Sequence, residues 1–379
     1  MNIKEIKMHQ LVMNLKSHFT TSFGSQQERF ITIIEAVDDQ GVSGFGECVS
    51  GEDPLYSEEF MDASLIAMKK YFGPLVIHNT INHPDDVWEL FKPFKRNNMS
   101  KAAIEGAVWD LYAKQQQQPL ADVIGGSKSE VDVGVSLGLE DTDNALLEKV
   151  GEKVEEGYKR IKVKIKPGRD VDMVRKIRDK FGDIPLMVDA NSAYTLDDIE
   201  VLKELDAFDL MMIEQPLAAG DLIDHAKLQK QLTTPVCLDE SIDSYEAAAG
   251  AIELGSCEII NVKVGRVGGI TQSIKIHDLA QKHGIPLWCG GMLEAGVGRF
   301  HNVAITTLPN FTLPGDTASS GRYWYEDITT PEVIAENGVV TVIDKPGIGA
   351  AVDFDKMQQY LKKTEVITEA DKPDMIFYD

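Results

Sequence analysis

From about residue 131 the chain repeats one pattern, a short β-branched run followed by a longer stretch of helical periodicity. The runs are VDVGVSL, IKVKIK, IPLMVDA, LMMIEQP, PVCLDE, IINVKVG and IPLWCGG, and residues 171–181, 197–205 and 243–254 between them read as helices. Strand and helix in alternation predict parallel strands with helical crossovers. Counting FTLPGD (311–316) as the last run gives eight strands, so the reading is an α/β protein built on a TIM-type (β/α) barrel. The first part differs. Residues 2–13 alternate like a strand, and RFITIIEAVDDQGVSGFGECV reads as two strands around the Asp38–Gly41 turn, with Gly44 and Gly46 signalling a bulge. Helical patterns follow at 57–71, 85–91 and 100–114, the last with Ser100 as its N-cap. QQQQPL and GGS mark a boundary, giving an α+β domain at 1–125, a barrel at 126–320 and a segment at 321–379. In that segment GVVTVIDKPGIG predicts a strand that returns to the first domain.

The barrel reading matters because of what stands at the strand ends. Lys164, Asp189, Glu214, Asp239 and Lys263 follow one another at intervals of 25, 25, 25 and 24 residues. Each βα unit therefore delivers one ionisable group at one height, and in a closed barrel those ends converge on a single rim. Asp189, Glu214 and Asp239 would repel one another in a partly dry pocket unless a cation stood between them. All-oxygen ligands suit a hard divalent ion, Mg²⁺ rather than Zn²⁺. The alternative for each acid taken singly is a helix cap or a partner for a lysine. Lys162 and Lys164 alternate with Ile161 and Val163, so both face inward, while Lys166 leaves the strand before Pro167 and Gly168. Lys164 and Lys263 flank the acids, and an ammonium beside a divalent ion and a second ammonium has a lowered pKa, which makes it a usable base. Lys162 is either a substrate contact or a buried ammonium paired to barrel acids.

Composition narrows the partners. The 379 residues carry 38 basic and 61 acidic side chains, a net charge of −23, which disfavours nucleic acid and anionic membrane surfaces. A small anionic substrate then needs a local positive site of the kind these lysines provide. Cys48, Cys237, Cys257 and Cys289 are scattered with no CxxC pair, and the charged N-terminus MNIKEIKMHQ is followed by no membrane-length apolar window. The expectation is a cytoplasmic protein. Neither a dinucleotide nor a P-loop motif is present, and His277 and His283 suit a helix surface.

The strand-end set as a whole, Lys162 with Lys164, VDANSAY, IEQP, LDES and NVKVGRVGG, resembles the enolase superfamily, muconate-lactonising subgroup. TSFG near residue 21, GGMLEAGVGR (290–299) and PGDTASS (314–320) resemble its o-succinylbenzoate synthase / N-succinylamino acid racemase family. That resemblance implies a modified, enolase-like barrel with an α+β capping domain made by the N-terminal segment and the C-terminal tail. It also implies Mg²⁺, or another divalent cation such as Mn²⁺, held by Asp189, Glu214 and Asp239. Lys164 would then abstract the proton α to a carboxylate, giving an enediolate, and Lys263 would stabilise it from the opposite face or share the proton transfer in racemisation. Ser136, Asn191, Gly291 and Met292 match substrate-contacting positions, joined by Lys162 and Tyr323. Phe19 is either a lid over the pocket or a core aromatic. Arg266 stands where racemising members carry an arginine that influences Lys263, or is an ordinary loop arginine. The implied activity is dehydration to 2-succinylbenzoate in menaquinone synthesis, with N-succinylamino acid racemisation beside it, in a homo-oligomer. Alternatives are a dedicated N-acylamino acid racemase and, further off, a dipeptide epimerase or muconate cycloisomerase. A Schiff-base aldolase using Lys164 or Lys263, and a barrel that has lost activity, are the readings from other classes.

Overall fold

The computed structural model describes residues 1–21 and 24–374, the side chains of 19–25 excepted. Strands β1 (Ile3–Thr21), β2 (Gly24–Asp38) and β3 (Ser43–Cys48) form an antiparallel sheet, and the strand Leu361–Thr368 adds to its free edge beside β1. The helix Asn98–Gln115 lies on this sheet with most of its residues buried. Gly44 and Gly46 are explained by that packing. No bulge interrupts β3, which pairs in register from Thr32↔Cys48 to Val37↔Ser43. A β-carbon at Gly44 or Gly46 would instead overlap the carbonyl oxygens of Ala107 and Ala103 in the helix. The irregularities fall in β1, between Ile3 and Glu5, between Gln10 and Leu11 and between Asn14 and Phe19. Ser100 is not the N-cap either. The helix starts at Asn98, and the Glu59 carboxylate accepts from the backbone N–H groups of Asn98 (2.6 Å) and Met99 (2.9 Å).

The second body is a parallel sheet of seven strands in sequential order: β4 (Gly134–Leu137), β5 (Arg160–Lys164), β6 (Leu186–Asp189), β7 (Ile213–Glu214), β8 (Val236–Leu238), β9 (Ile259–Val262) and β10 (Leu287–Cys289). Residues 311–316, expected as the eighth strand, close the ring without becoming a regular strand. Leu313 N donates to Leu287 O (3.2 Å) and Asp316 N to Cys289 O (2.8 Å) on one edge, while Gly134 N donates to Gly315 O (2.8 Å) on the other. Pro314 removes one donor from the ladder, which accounts for the broken pairing. His277 is buried rather than on the surface. It accepts from Asn310 N at 3.0 Å and stacks on Phe311, fixing the start of the closing segment. The architecture is a modified TIM barrel with an antiparallel cap.

The tail departs from expectation in one respect. Val339–Thr341 does not return to the first domain but pairs with Glu130–Asp132 at the entrance to the barrel. The return is made by Leu361–Thr368, antiparallel to β1 with Ile6 opposite Ile367.

An apolar core that includes Leu11, Ile31 and Ile33 from the cap and Val135, Val163 and Val188 from the barrel crosses the boundary without a break. Two cap carboxylates also seat barrel helices. Glu105 accepts from the backbone N–H of Ile270 (2.9 Å) and Thr271 (2.8 Å), at the start of the helix Ile270–His283. Glu47 does the same for Ala295 and Gly298 (both 2.8 Å), at the start of the helix Gly296–Thr306. Among the described residues no helix is long and apolar enough to cross a membrane.

If helix-on-sheet contact is what requires glycine in β3, Gly46→Ala lowers stability by about 2–3 kcal/mol in chemical denaturation, an overpacking cost. Gly151→Ala, inside the helix Asp143–Glu155 where the added carbon meets only Phe181 at ordinary contact distance, leaves stability equal or higher.

Candidate active site

Strand register puts the ionisable groups at one height. Lys164 pairs with Asp189 across β5 and β6, Asp189 with Glu214 across β6 and β7, and Glu214 with Cys237 across β7 and β8. Asp239 lies two residues beyond Cys237, so it shares the inward face. The chain turns sharply after these strands, with positive φ at Asn191 (41°), Ser192 (63°), Gln215 (39°) and Leu293 (57°). Strained backbone of this kind persists where surrounding bonds over-determine it. Gln215 illustrates how, since its Oε1 accepts from the backbone N–H of Asp239 (3.0 Å) and Ser241 (3.2 Å).

Acids and cations are interleaved above the barrel floor. Lys162 Nζ lies 3.0 Å from Glu214 Oε2, 3.5 Å from Asp189 Oδ2 and 3.3 Å from Asp316 Oδ2. Lys164 donates to Asp189 Oδ2 at 2.6 Å and to the Asn191 side-chain oxygen. Lys263 donates to Asp239 Oδ2 at 2.9 Å, and Arg266 pairs with the other oxygen of the same carboxylate. Asn261 Nδ2 bridges Glu214 Oε1 (2.8 Å) and Asp239 Oδ1 (3.0 Å). As the side chains stand, the Lys162 ammonium and the Asn261 amide take up the gaps between the acids. Among the described residues no three Asp, Glu, His or Cys side chains are already gathered at ligating separation.

Burial favours the neutral form of every acid here, and the neighbours decide the outcome. For Asp189 the opposing charges of Lys164 and Lys162 win and hold the carboxyl below its usual range. For Asp239 Arg266 and Lys263 do the same. Glu214 goes the other way: burial, then Asp189 and Asp239, push it up to about 8 despite Lys162. Burial also opposes the charge on Lys263, but Asp239, Tyr56 and Glu240 outweigh it and raise its pKa. The lowered pKa expected for that lysine is therefore not what its present pairing produces, because the Asp239 carboxylate beside it outweighs both burial and the nearby Arg266.

A cavity of about 370 Å³ opens above these groups, with Lys162, Lys164, Asp189, Asp239 and Lys263 in its wall. Ser136, Asn191, Gly291, Met292 and Tyr323 also line it. Glu214 lies fully buried below the cavity rather than on its wall. Arg266 does not reach the cavity. It sits behind Asp239 and donates to the carbonyls of Ile242 and Asn261, both at 2.9 Å, so a direct substrate contact is replaced by contact with Lys263's partner. The side chain of Phe19 lies outside the described residues.

Sequence reading missed several members of the site. Asp316, at the end of the closing segment, accepts from Ser136 Oγ (3.2 Å), Lys162 and Arg160. Arg160 is wholly buried one layer down, its guanidinium 4.4 Å from the ring centroid of Trp288. The acid in PGDTASS was the available signal for Asp316, since it ends the last stave as the others end theirs. Tyr56, in a loop without periodicity, gave none.

Residues 145–356 match the family model described as enolase C-terminal domain-like, and residues 3–125 match the mandelate racemase / muconate lactonizing enzyme N-terminal domain. The chain is 53% identical to the o-succinylbenzoate synthase of Geobacillus stearothermophilus, over 96% of this chain and 97% of that one. It is 46% identical to the N-succinylamino acid racemase of Thermus thermophilus, over 92% and 94% of the two chains. A crystal structure of an enolase superfamily member from Listeria innocua superposes with a TM-score of 0.95 at 41% identity, covering 97% of this chain and 100% of that one. Fold and strand-end set thus define an enzyme of the enolase superfamily. Within it, the chain belongs to the o-succinylbenzoate synthase / N-succinylamino acid racemase family of the muconate-lactonising subgroup.

Removing one charge from the Arg160–Asp316–Lys162 group leaves buried cations uncompensated. Asp316→Asn is expected to cost about 3 kcal/mol in chemical denaturation. Glu240→Gln, at a carboxylate whose Oε2 already lacks a hydrogen-bond partner, costs less.

Proposed function

We propose that the protein is an o-succinylbenzoate synthase that also racemises N-succinylamino acids, both reactions beginning with loss of a proton α to a carboxylate. The observation that carries this reading is the pair of ammonium groups on one cavity, Lys164 tied to Asp189 and Lys263 tied to Asp239. Relatives bearing both activity names support it. The four cysteines, buried and unpaired, fit a reducing cytoplasm.

Asp189, Glu214 and Asp239 are suited to hold Mg²⁺, or Mn²⁺, because all offer carboxylate oxygens from rigid strand ends. The upward shift of Glu214 has the other two acids among its causes, and a bound cation relieves that repulsion. A bound ion would compete with the Lys162 ammonium and the Asn261 amide for the carboxylate oxygens they now bond. Bound there, the ion supplies positive charge where the substrate carboxylate gains negative charge.

The chain's own groups then divide the work. Neutral Lys164 takes the α-proton and the electron pair passes into the carboxylate, forming an enediolate. In dehydration the same ammonium returns the proton to the departing hydroxyl, while Lys263 stays charged on the opposite side. In racemisation one lysine removes the proton and the other delivers one to the far face of the same carbon. Lys162, freed towards the cavity, and the Ser136 hydroxyl are placed to meet substrate oxygens. The o-succinylbenzoate that one relative's name gives as product and the N-succinylamino acid in the other's name are dicarboxylates, which suits a wall rich in cations.

Lys164→Ala is expected to lower both activities by roughly 10²–10⁴-fold, the contribution of a positioned general base. Activity with either substrate should vanish on chelation with EDTA and return on adding Mg²⁺. Arg266→Gln should slow racemisation about tenfold more than dehydration, since only racemisation asks Lys263 to transfer a proton. Borohydride trapping of substrate on a lysine, with no dependence on metal, would instead establish Schiff-base chemistry.

A further inference from the structure

The two lysines are held differently. Lys164 has barrel partners, Asp189 and Asn191. Lys263 is held by the barrel through Asp239 and by the cap through Tyr56, whose phenol oxygen accepts from Lys263 Nζ at 2.9 Å. The same oxygen accepts from Arg266 Nη1 at 2.8 Å. The ammonium lies 4.8 Å from the centroid of the Tyr56 ring, at its hydroxyl end, so the contact is made through the phenol oxygen. Tyr56 comes from the segment between β3 and the helix Met61–Ala67, and it lines the cavity beside Leu55, an apolar side chain 62% exposed at the mouth. One phenol oxygen thus joins a cavity-lining loop of the cap to the second lysine and to the arginine behind it.

We propose that Tyr56 is a positioning residue that aims Lys263 at the α-carbon, and that it governs the racemase reaction more than the synthase reaction. This rests on the two-lysine reading above. Dehydration needs Lys263 only as a nearby positive charge, and the Coulomb interaction with a developing anion tolerates small displacements. Proton transfer does not, because donor and acceptor must meet within hydrogen-bond reach in the right direction. Arg266 and Tyr56 together restrain Lys263: Arg266 takes the other oxygen of Asp239, and the Tyr56 hydroxyl bonds both the ammonium and Arg266 from the cap side.

The readout that separates positioning from general support is face-selective. In D₂O each enantiomer of an N-succinylamino acid exchanges its α-proton through the lysine on its own face. That lysine, as the free amine, accepts the proton, and after exchange with solvent returns a deuteron to the same carbon. Initial exchange of both enantiomers is followed by NMR in the Mg²⁺-loaded enzyme, and Lys263→Ala identifies which enantiomer uses Lys263. Tyr56→Phe retains the ring and removes the hydroxyl. The expected result is a shift of at least about tenfold in the ratio of the two exchange rates, against the enantiomer served by Lys263. Racemase turnover should fall relative to synthase turnover by a similar factor. Equal slowing of both enantiomers, or an unchanged ratio, overturns the proposal while leaving the two-lysine reading intact. Absence of exchange from either enantiomer in the wild-type enzyme overturns both, and the wild-type arm alone reveals that case.

Discussion

Everything at the barrel mouth follows from one constraint: charge buried in a low-dielectric interior must be matched nearby. Asp189, Glu214, Asp239, Glu240 and Asp316 stand against Arg160, Lys162, Lys164, Lys263 and Arg266, five formal charges of each sign. The match explains why cations that a chain of net charge −23 has in short supply are concentrated on two strand ends and the floor beneath them. It also explains why the pairing is poised rather than final. Under the proposed function, a divalent cation would add two positive charges and a dicarboxylate substrate two negative ones, which keeps the site in balance.

The cap contributes more than a cover. Glu47 and Glu105 seat two barrel helices at their N-termini, and the apolar core runs through the boundary. Arg29, from β2, donates to the carbonyl oxygens of Ser50 (3.0 Å) and Met292 (3.2 Å), and Glu294 accepts from Met292 N at 2.9 Å. The wall after β10, where Leu293 adopts a positive φ, is therefore set partly from the cap. A cap fixed at this many points leaves adjustment to its loops, among them the one carrying Tyr56.

What could be seen in the sequence was whatever repeats or is local. The near-constant interval from Lys164 to Lys263 was legible because each βα unit spans one strand, one crossover and one return, and register in the structure places Lys164, Asp189 and Glu214 side by side. Features that depend on partners distant in sequence were not. Gly44 and Gly46 look like bulge residues until a helix is laid across them, and Ser100 looks like a cap until Glu59 arrives from the loop after β3. The closing segment at 311–316 was countable as a stave, but Pro314 and its two flanking ladders make it irregular. Arg266 was noticed for its place near Lys263, yet only the fold puts it behind Asp239 instead of on the cavity wall. Lys162 shows features of both its readings, with its ammonium shared among three acids and its side chain in the cavity wall.

A divalent ion held by Asp189, Glu214 and Asp239 would displace the Lys162 ammonium from Glu214. Anomalous diffraction from crystals grown with Mn²⁺ tests it most directly. The account predicts one strong peak among Asp189, Glu214 and Asp239, with Lys162 no longer bonded to Glu214. A peak elsewhere in the barrel, or an intact Lys162–Glu214 pair under saturating metal, would contradict it.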